Sequence, residues 1–405
     1  MNNAKNTTLF PYLERLLEGE EVQWKTLGEV CDYEQPTAYL VRNTNYSDQY
    51  PIPVLTAGKT FILGYTNETT GIYRASEHPT IIFDDFTTAN KWVDFDFKAK
   101  SSAMKMLTSK DEKVCLLKYI YYWLNTLPAD SIVGDHNRQW ISNYAQKLFP
   151  LPPLRVQARI VEILDKFTQL EAELEAELEA RKKQYAYYRD QLLNFSQCPP
   201  LNVNIEWKTL GAIGTFYRGT SFQKKDFTSE GVGCIHYGEI YTHYGVSAQD
   251  TISKLSAKKA NNARKANYGD LIIATTSEND EDVCKSVAWL GNESIVVSND
   301  ACYYQHALDP KYVAYFFLTN DFQQQKRAFI TGTKVRRVNP RDLAKIIIPI
   351  PPLSEQRRIV DILDRFETLT NSISEGLPKE IALRRKQYEY YRDALLSFPR
   401  PEATV

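Results

Sequence analysis

Apolar residues between positions 154 and 195 recur every three or four residues, the spacing of an amphipathic helix with one apolar seam. The central segment, LEAELEAELEAR from Leu170, contains only strong helix formers. At 1.5 Å per residue the helix would be about 60 Å long. The predicted seam contains Ile160, Ile163, Phe167, Leu170, Leu174 and Leu178, and resumes at Tyr185, Tyr188, Leu192 and Phe195. The pattern predicts one strand of a coiled coil.

The same chain contains a partner for this helix. LPPLRVQARIVEILDKF at Leu151 returns as IPPLSEQRRIVDILDRF at Ile350, and ARKKQYAYYRDQLLNF at Ala180 returns as LRRKQYEYYRDALLSF at Leu383. The offset grows by four residues, close to one helical turn, so the seam is retained. Gly376 and Pro378 near this insertion predict a kink or a break. The second seam is predicted at Ile362, Phe366, Leu369, Ile373, Tyr388 and Tyr391.

Two related α/β domains are predicted beside these helices. Short β-rich runs (PIPVLTAG, KTFILGYT, HPTIIFDDF) precede a helix at KVCLLKYIYYWLNTL in the first. The second has IHYGEIYTHYG, DLIIATTSEN, KSVAWL and SIVVSNDACYY, then a helix at PKYVAYFFLTNDFQQQKRAF. WKTLG recurs at Trp24 and Trp207, which marks Leu13–Leu17 as a stub of the helical repeat. The predicted divisions are 1–24, 25–150, 151–200, 201–349 and 350–405.

An antiparallel pairing of the two helices is expected from geometry. Parallel pairing would force the second domain, with a radius of gyration near 15 Å, to bridge roughly 60 Å. Antiparallel pairing places both of its attachment points at one end. The expected fold is therefore α/β, with two related domains, an antiparallel coiled coil and a pseudo-twofold internal repeat.

Composition narrows the class of protein only modestly. A chain of 405 residues predicts two or three domains, and its net charge of -1 gives no sign of a nucleic-acid partner for the chain as a whole. The six cysteines form no CxxC pair, which is typical of a reducing cytosol. No leader and no apolar run near 18 residues is apparent, so a cytoplasmic location is expected.

One loop of the second domain has the residue types of a DNA contact. Its sequence, TGTKVRRVNPRDL from Thr331, precedes a predicted buried strand. Cations and hydroxyl or amide groups in one loop suit both phosphates and base edges. A solvated basic loop is the competing interpretation. The candidates are Thr331, Thr333, Lys334, Arg336, Arg337, Asn339 and Arg341.

Further candidates follow predicted strands or align with this loop. In the first domain they are Thr56, Lys59, Thr87, Thr88, Lys91, Asn137, Arg138 and Gln139, and in the second His236, Tyr237, Thr275, Thr276, Ser277 and Asn279. Asn137 and Gln139 are amides at positions aligned with the basic loop, which favours base reading over phosphate contact there. Polar residues after a strand are also ordinary turn formers, so a structural role remains open for each. The tyrosines of KKQYAYYRD and RKQYEYYRD suit either seam packing or partner docking.

Catalytic motifs are not apparent in the sequence. There is no NPPY or DPPY motif, no FxGxG-like cofactor loop and no GxxxxGK[ST]. The five histidines lack metal-ligand spacing. The chain is therefore expected to be neither an enzyme nor a metalloprotein.

The run GTKVRRVNPRDLAKIIIPIPPLSEQRRIVDILDRF, the YEYYRDALLSF ending and the twofold repeat resemble the specificity subunit of type I restriction-modification systems. The resemblance implies two target recognition domains that read a bipartite, asymmetric DNA sequence, with paired helices as a ruler. It also implies two methyltransferase subunits and restriction subunits as partners. The resemblance assigns adenine methylation and ATP-driven cleavage to these partners, which would bring S-adenosylmethionine, ATP and magnesium. This chain would need no cofactor. The alternative is a coiled-coil adaptor that does not bind DNA.

Overall fold

The structure is a computed structural model that describes residues 9–58, 60–128, 138–195, 204–372 and 374–400. The chain forms two compact units. The first holds Met1–Leu174 with Ile381–Val405, and the second holds Glu175–Glu380. None of the described helices combines the length and apolar character needed to cross a bilayer.

The first unit combines small sheets with short helices. Its helices are α1 (Pro11–Leu17), α2 (Leu27–Val30), α3 (Leu117–Leu124) and α4 (Gln139–Ser142). Its strands are β1 (Gln23–Thr26), β2 (Cys31–Glu34), β3 (Ile52–Leu55), β4 (Ile62–Thr66), β5 (Thr80–Asp84), β6 (Asn90–Val93), β7 (Lys98–Ala99), β8 (Met104–Ser109) and β9 (Leu148–Leu151). Among the described residues these strands pair in the orders β2-β8-β5-β6, β4-β3-β7 and β1-β9.

The long helix α5 (Leu154–Leu193) begins in the first unit and ends in the second. The second unit continues with helices α6 (Leu210–Ile213), α7 (Tyr237–Thr242), α8 (Ala257–Ala260), α9 (Pro310–Phe316), α10 (Asn320–Arg327), α11 (Pro340–Leu343) and α12 (Leu353–Asn371). A last helix, α13 (Gly376–Leu396), ends in the first unit.

The strands of the second unit form a larger mixed structure. They are β10 (Glu206–Thr209), β11 (Gly214–Arg218), β12 (Phe227–Thr228), β13 (Val232–Ile235), β14 (Ser247–Ala248), β15 (Ser253–Leu255), β16 (Lys265–Ala266), β17 (Leu271–Ala274), β18 (Thr276–Ser277), β19 (Ser286–Trp289), β20 (Ile295–Val297), β21 (Ala301–His306), β22 (Arg336–Arg337) and β23 (Ile347–Ile350). Within the described ranges the sheets run β11-β21-β17-β19-β14, β12-β15-β13-β20-β16, β10-β23 and β18-β22.

Strand pairing shows the internal repeat directly. Trp24 lies opposite Pro150 in the β1-β9 ribbon, and Trp207 lies opposite Pro349 in the β10-β23 ribbon. The order β2-β8-β5-β6 of the first unit matches β11-β21-β17-β19 of the second. The two units therefore share a framework, and they differ in the strands and loops added to it.

The long helices pair antiparallel within the first unit. Phe167 of α5 stacks on Tyr391 of α13 with ring centroids 5.5 Å apart, and Glu171 pairs with Arg385. Because the α5 number rises as the α13 number falls, the two segments run in opposite directions. Helix α1 joins this contact, since Leu13 and Leu17 share a buried cluster with Leu395 and other residues of the two long helices. The sequence predicted that stub.

In the second unit, α5 packs against α12. Tyr185 and Tyr188 both stack on Phe366, with centroid distances of 6.2 and 5.7 Å. The break predicted near Gly376 is confirmed, because α12 ends at Asn371 and α13 begins at Gly376. Gly376 has a φ of +74°, which favours glycine.

The predicted seam is not equally buried along its length. Leu170 is 45% exposed, while Leu164, outside the predicted seam, is fully buried against the first domain. Half-buried seam residues are Ile163, Phe167, Leu174, Leu178, Ile362, Phe366, Leu369, Tyr388 and Tyr391. Ile373 lies outside the described residues.

Each unit fastens its domain helix to a long helix by the same contacts. Tyr122 and Lys118 of α3 both contact the carboxylate of Asp165, the lysine at 3.2 Å. In the second unit the hydroxyl of Tyr315 donates to Asp364 at 2.7 Å, and Lys311 donates to it at 2.8 Å. The sequence repeat thus includes a repeated contact, in which a tyrosine and a lysine of the domain helix bind one aspartate of a long helix.

Removal of the Asp364 carboxylate should destabilise the second unit. Asp364→Ala leaves the buried hydroxyl of Tyr315 without its acceptor and Lys311 without its partner, at an expected cost of about 1–3 kcal/mol of unfolding free energy. Asp361→Ala, at an exposed position of the same helix, should change stability by less than about 0.5 kcal/mol. Denaturant unfolding of both variants measures the difference, and equal midpoints would contradict the assignment.

Two predicted elements were wrong in type or extent. The run IHYGEIYTHYG was predicted as strand, but most of it is α7. The Nδ1 atom of His236 accepts from the Gly238 N–H, and Glu239 accepts from the His236 N–H, so His-x-x-Glu starts a helix here. The single helix predicted from Pro310 is two helices, because Thr319 caps α10 by accepting from the Phe322 N–H.

Candidate nucleic-acid interface

Two predicted contact segments of the second unit meet beyond the end of β17. Strand β18 pairs with β22, so that Thr276 lies opposite Arg337 and Ser277 lies opposite Arg336. The Val338 N–H also donates to the carbonyl of Thr275 at 3.1 Å. Residues that are 59 to 63 positions apart in sequence therefore form one surface.

The basic loop is a hairpin. The backbone groups of Thr331 and Arg337 exchange two hydrogen bonds of 2.9 Å. The Arg336 guanidinium closes the hairpin by donating to Gly332 O at 2.6 Å, and its Nε lies 2.8 Å from Asp280. Arg336 therefore connects the hairpin to the neighbouring loop.

Helix α7 forms the other side of this surface. The Tyr241 hydroxyl donates to Thr276 O at 2.8 Å, and the Tyr237 N–H donates to the hydroxyl of Ser298 at 2.9 Å. A cleft of about 650 Å³ lies between these segments. Its lining includes Lys224, Tyr237, Tyr241, Ser277, Asn279, Asp282, Val335 and Arg337. Lys224, Tyr241, Asp282 and Val335 were not among the sequence candidates.

The predicted cations of this site have different surroundings. Lys334, Arg337 and Arg341 are exposed, whereas Arg336 is half-buried and ion-paired. Asn339 caps α11 with its side-chain carbonyl, which accepts from the Arg341 N–H. The exposed cations are thus the ones available for phosphates or base edges.

Several hydroxyl and amide candidates of this surface already form hydrogen bonds within the domain. Thr275 and Thr276 both donate to Asp300 O, at 2.9 and 3.3 Å. Asn279 donates to the Asp282 carboxylate and accepts from the Asp282 N–H, each at 2.7 Å. These contacts fix the shape of the loop. Thr333 is exposed and carries no such contact within the described part of the chain.

The His236 ring is oriented by a backbone contact, and its surroundings favour the neutral form. Burial lowers its pKa, and its Nδ1 accepts from the Gly238 N–H, so the ring proton lies on Nε2. This N–H suits a base-edge acceptor such as guanine N7 or O6. Burial also raises the pKa of Tyr241, which keeps its hydroxyl a donor.

The corresponding surface of the first unit lies at the β5-β6 turn. The Asp84 carboxylate accepts from the N–H groups of Phe86 and Thr87 at 2.9 and 3.3 Å. Thr88 has a φ of +62° and is buried, so it shapes the turn and presents little surface. Thr87 and Lys91 are exposed beside it.

Helix α4 is fastened to this turn through Asp85. The Gln139 N–H donates to Asp85 O and the Trp140 N–H donates to its carboxylate, both at 2.8 Å. Gln139 is only 5% exposed, which places it in the interior rather than on a DNA-facing surface. Arg138 is exposed at the start of α4. Asn137 and Lys59 lie outside the described residues.

The sequence repeat aligns TAGKT from Thr56 with HYGEI from His236, but Thr56 has a different environment from His236. Its hydroxyl donates to Thr60 O and its N–H donates to Phe61 O at 2.9 Å, so it closes a hairpin turn. The two aligned segments therefore differ in structure: TAGKT forms a hairpin turn, whereas HYGEI forms the start of helix α7.

The same backbone contact occurs in both sites. The Gln139 N–H donates to Asp85 O, and the Val338 N–H donates to Thr275 O; positions 139 and 338 are aligned by the sequence repeat. Each domain thus holds a loop, different in sequence from its counterpart, against the end of an equivalent strand of the sheet. Among the described residues no group of three or more His, Cys, Asp or Glu side chains is placed to hold a metal.

A family model described as the type I restriction modification DNA specificity domain matches residues 19–180 and 202–383. The chain belongs to the type I restriction-modification DNA specificity family. The match occurs twice, once for each half of the repeat. As a specificity subunit, the chain is the non-catalytic, DNA-recognising member of its system. Members of this family need no cofactor of their own.

Relatives of known type agree with this assignment. The Escherichia coli type I restriction enzyme EcoR124I/EcoR124II specificity subunit is 51% identical over 401 residues, which cover 96% of this chain and 98% of that protein. A putative type I restriction enzyme specificity subunit of Haemophilus influenzae is 31% identical over 409 residues, with coverage of 96% and 98%.

Solved structures confirm the fold class. The S subunit of a type I system from M. genitalium has a TM-score of 0.56 at 14% identity, covering 94% of this chain and 98% of that one. A chain from a study of the assembly and conformational transition of the type I R-M system has a TM-score of 0.59 at 16% identity, with coverage of 93% and 98%.

Proposed function

We propose that this specificity subunit reads a bipartite, asymmetric DNA site with two unlike target recognition domains. The proposed domains are residues 25–150 and 201–349, and the helical segments 151–200 and 350–405, with the stub in 1–24, connect them. One observation carries the proposal: an equivalent framework presents different loops at an equivalent position in each unit. Unlike loops on one framework are suited to unlike half-sites.

The second domain contacts DNA through the cleft and its hairpin in this proposal. Lys334, Arg337 and Arg341 supply charge, and His236 and Asn279 supply groups for base edges. Further proposed contacts in this domain are Thr333, Arg336, Asn339, Tyr237, Thr275, Thr276 and Ser277. The first domain uses fewer cations in this proposal, with Arg138 and Lys91 as exposed contacts beside the hydroxyls of Thr87 and Thr56. Lys59 and Asn137 stay candidates from the sequence alone, whereas the buried Thr88 and Gln139 shape the loops and are not proposed as contacts.

The proposed partners supply the chemistry. Two methyltransferase subunits and restriction subunits join this chain on double-stranded DNA in the cytoplasm. S-adenosylmethionine, ATP and magnesium belong to those partners.

A salt-dependent mobility shift tests DNA recognition against the adaptor alternative. The chain and its methyltransferase partner should shift duplex DNA, with an affinity that falls steeply as salt rises because phosphate neutralisation releases counterions. The methyltransferase alone serves as the control. Equal shifts with and without this chain would favour the adaptor.

A further inference from the structure

We propose that a fully buried lysine positions the DNA-facing loop of each unit: Lys326 in the second unit and Lys105 in the first. Both side chains are inaccessible to solvent, so neither presents a surface that DNA could contact. They are positioning residues whose effect reaches the DNA through the loops that they hold. This inference rests on the proposed function.

Lys326 binds two carbonyl groups of one loop. Its Nζ donates to Glu281 O at 3.0 Å and to Val283 O at 2.8 Å. Burial lowers its pKa, while the nearby acidic side chains oppose that shift. An ammonium is unfavourable in a protein interior unless it is well paired. A methionine could fill the same space without burying a charge. The distinctive contribution of Lys326 is therefore its two hydrogen bonds to the loop.

The loop held by Lys326 is part of the cleft. Its first residues pair with the basic hairpin through Ser277 opposite Arg336, and Asp280 is paired with the Arg336 side chain. Its last residue, Cys284, has a φ of +73°, a conformation that a non-glycine residue adopts only when its surroundings impose it. Lys326 binds the carbonyl directly before Cys284. The loop is thus fixed by the hairpin at one end and by Lys326 at the other.

Lys105 acts on the first unit through a carboxylate. Its Nζ lies 3.4 Å from Asp85, and both side chains are almost fully buried. The other carboxylate oxygen of Asp85 accepts from the Trp140 N–H. Asp85 also accepts from the Gln139 N–H through its carbonyl. The Lys105 Nζ forms no hydrogen bond with the described residues, so it acts on Asp85 through its charge, and the hydrogen bonds of Asp85 fix the start of α4 directly after the exposed Arg138.

The two lysines are not at aligned positions, since Lys105 is on β8 and Lys326 is on α10. Each nevertheless connects the buried core to the loop beside the central strand. Loss of either should misplace the polar groups of one loop and leave the other loop intact. The expected result is weaker discrimination between bases in one half-site, with discrimination in the other half-site unchanged.

The test uses the full chain with its methyltransferase partner and duplexes that carry single-base substitutions in either half-site. Lys326→Met is expected to reduce the mismatch penalties in one half-site by at least tenfold. Lys105→Met should do the same in the other half-site. Arg337→Ala identifies the half-site of the second unit, since it changes an exposed residue of the same cleft.

A stability control separates positioning from general destabilisation. Val313→Ala, in the buried core on α9, should lower stability without changing any mismatch penalty. Hydrogen exchange of residues 277–284 should become faster in Lys326→Met and stay unchanged in Val313→Ala. Lys326→Gln keeps a donor and is expected to recover part of the discrimination, and it decides the question if Lys326→Met does not fold.

The outcomes distinguish the two proposals. Variants that fold, lose stability as Val313→Ala does and keep every mismatch penalty would overturn the positioning role alone. A wild-type complex that shows no base discrimination would overturn the proposed function itself, and the positioning role with it.

Discussion

Replacement of both Lys334 and Arg337 by alanine should weaken DNA binding by roughly 10- to 100-fold near physiological salt. Both residues are exposed, Lys334 on the hairpin and Arg337 beside the cleft. Each cation that neutralises a phosphate contributes about one to the slope of log affinity against log salt, so the slope should fall by up to about two. Binding titrations of the complex with the methyltransferase at several salt concentrations measure both quantities.

A matched charge control is available in the same unit. Lys258→Ala with Lys265→Ala also removes two positive charges, at α8 and β16, and neither residue lines the cleft. The control should change the slope by much less. Equal losses for the two double variants would mean that unspecific charge, rather than this hairpin, carries the contact.

Deletion of Leu174–Glu177 should abolish methylation at the natural site and create a site with a shorter spacer. Four residues are close to one helical turn, so the apolar face of α5 is kept while the helix shortens by about 6 Å. That distance is somewhat under two base-pair rises. The half-sites should remain the same because the deletion lies outside both recognition loops.

Sequencing of modified adenines in cells that carry the deletion measures the new spacer. Glu177→Gln preserves the helix length at an exposed position and should leave the natural site unchanged. Altered half-sites in the deletion strain would contradict the role of α5 as a ruler.

The repeat and its periodicity predicted most of the framework. The apolar spacing of 154–195 predicted α5, and the break near Gly376 was expected from the insertion and its glycine and proline. The recurrence of WKTLG predicted the packing of Leu13 and Leu17 with the end of α13. These features depend on local patterns and repeated sequence, which are visible without coordinates.

Two tertiary contacts and one unrecognised local cap account for the elements and residues that the sequence did not predict correctly. The side-chain amide of Gln139 suggested a base contact from the sequence. In the structure this residue is buried, and its backbone N–H donates to Asp85 O. Strand-like residues in IHYGEIYTHYG became helical because His236 and Glu239 cap α7. Lys326 was not among the residues that the sequence singled out, because nothing in its local sequence shows that its ammonium donates to two carbonyl groups more than 40 positions away.

Single-molecule sequencing of modified adenines in cells that carry the methyltransferase, with and without the gene for this chain, tests whether this chain selects the methylated sequence. We expect modification at a single sequence made of two unlike half-sites separated by a fixed number of unspecified bases, and only when the gene is present. Modification that persists without the gene, or that follows a continuous or palindromic sequence, would contradict this expectation.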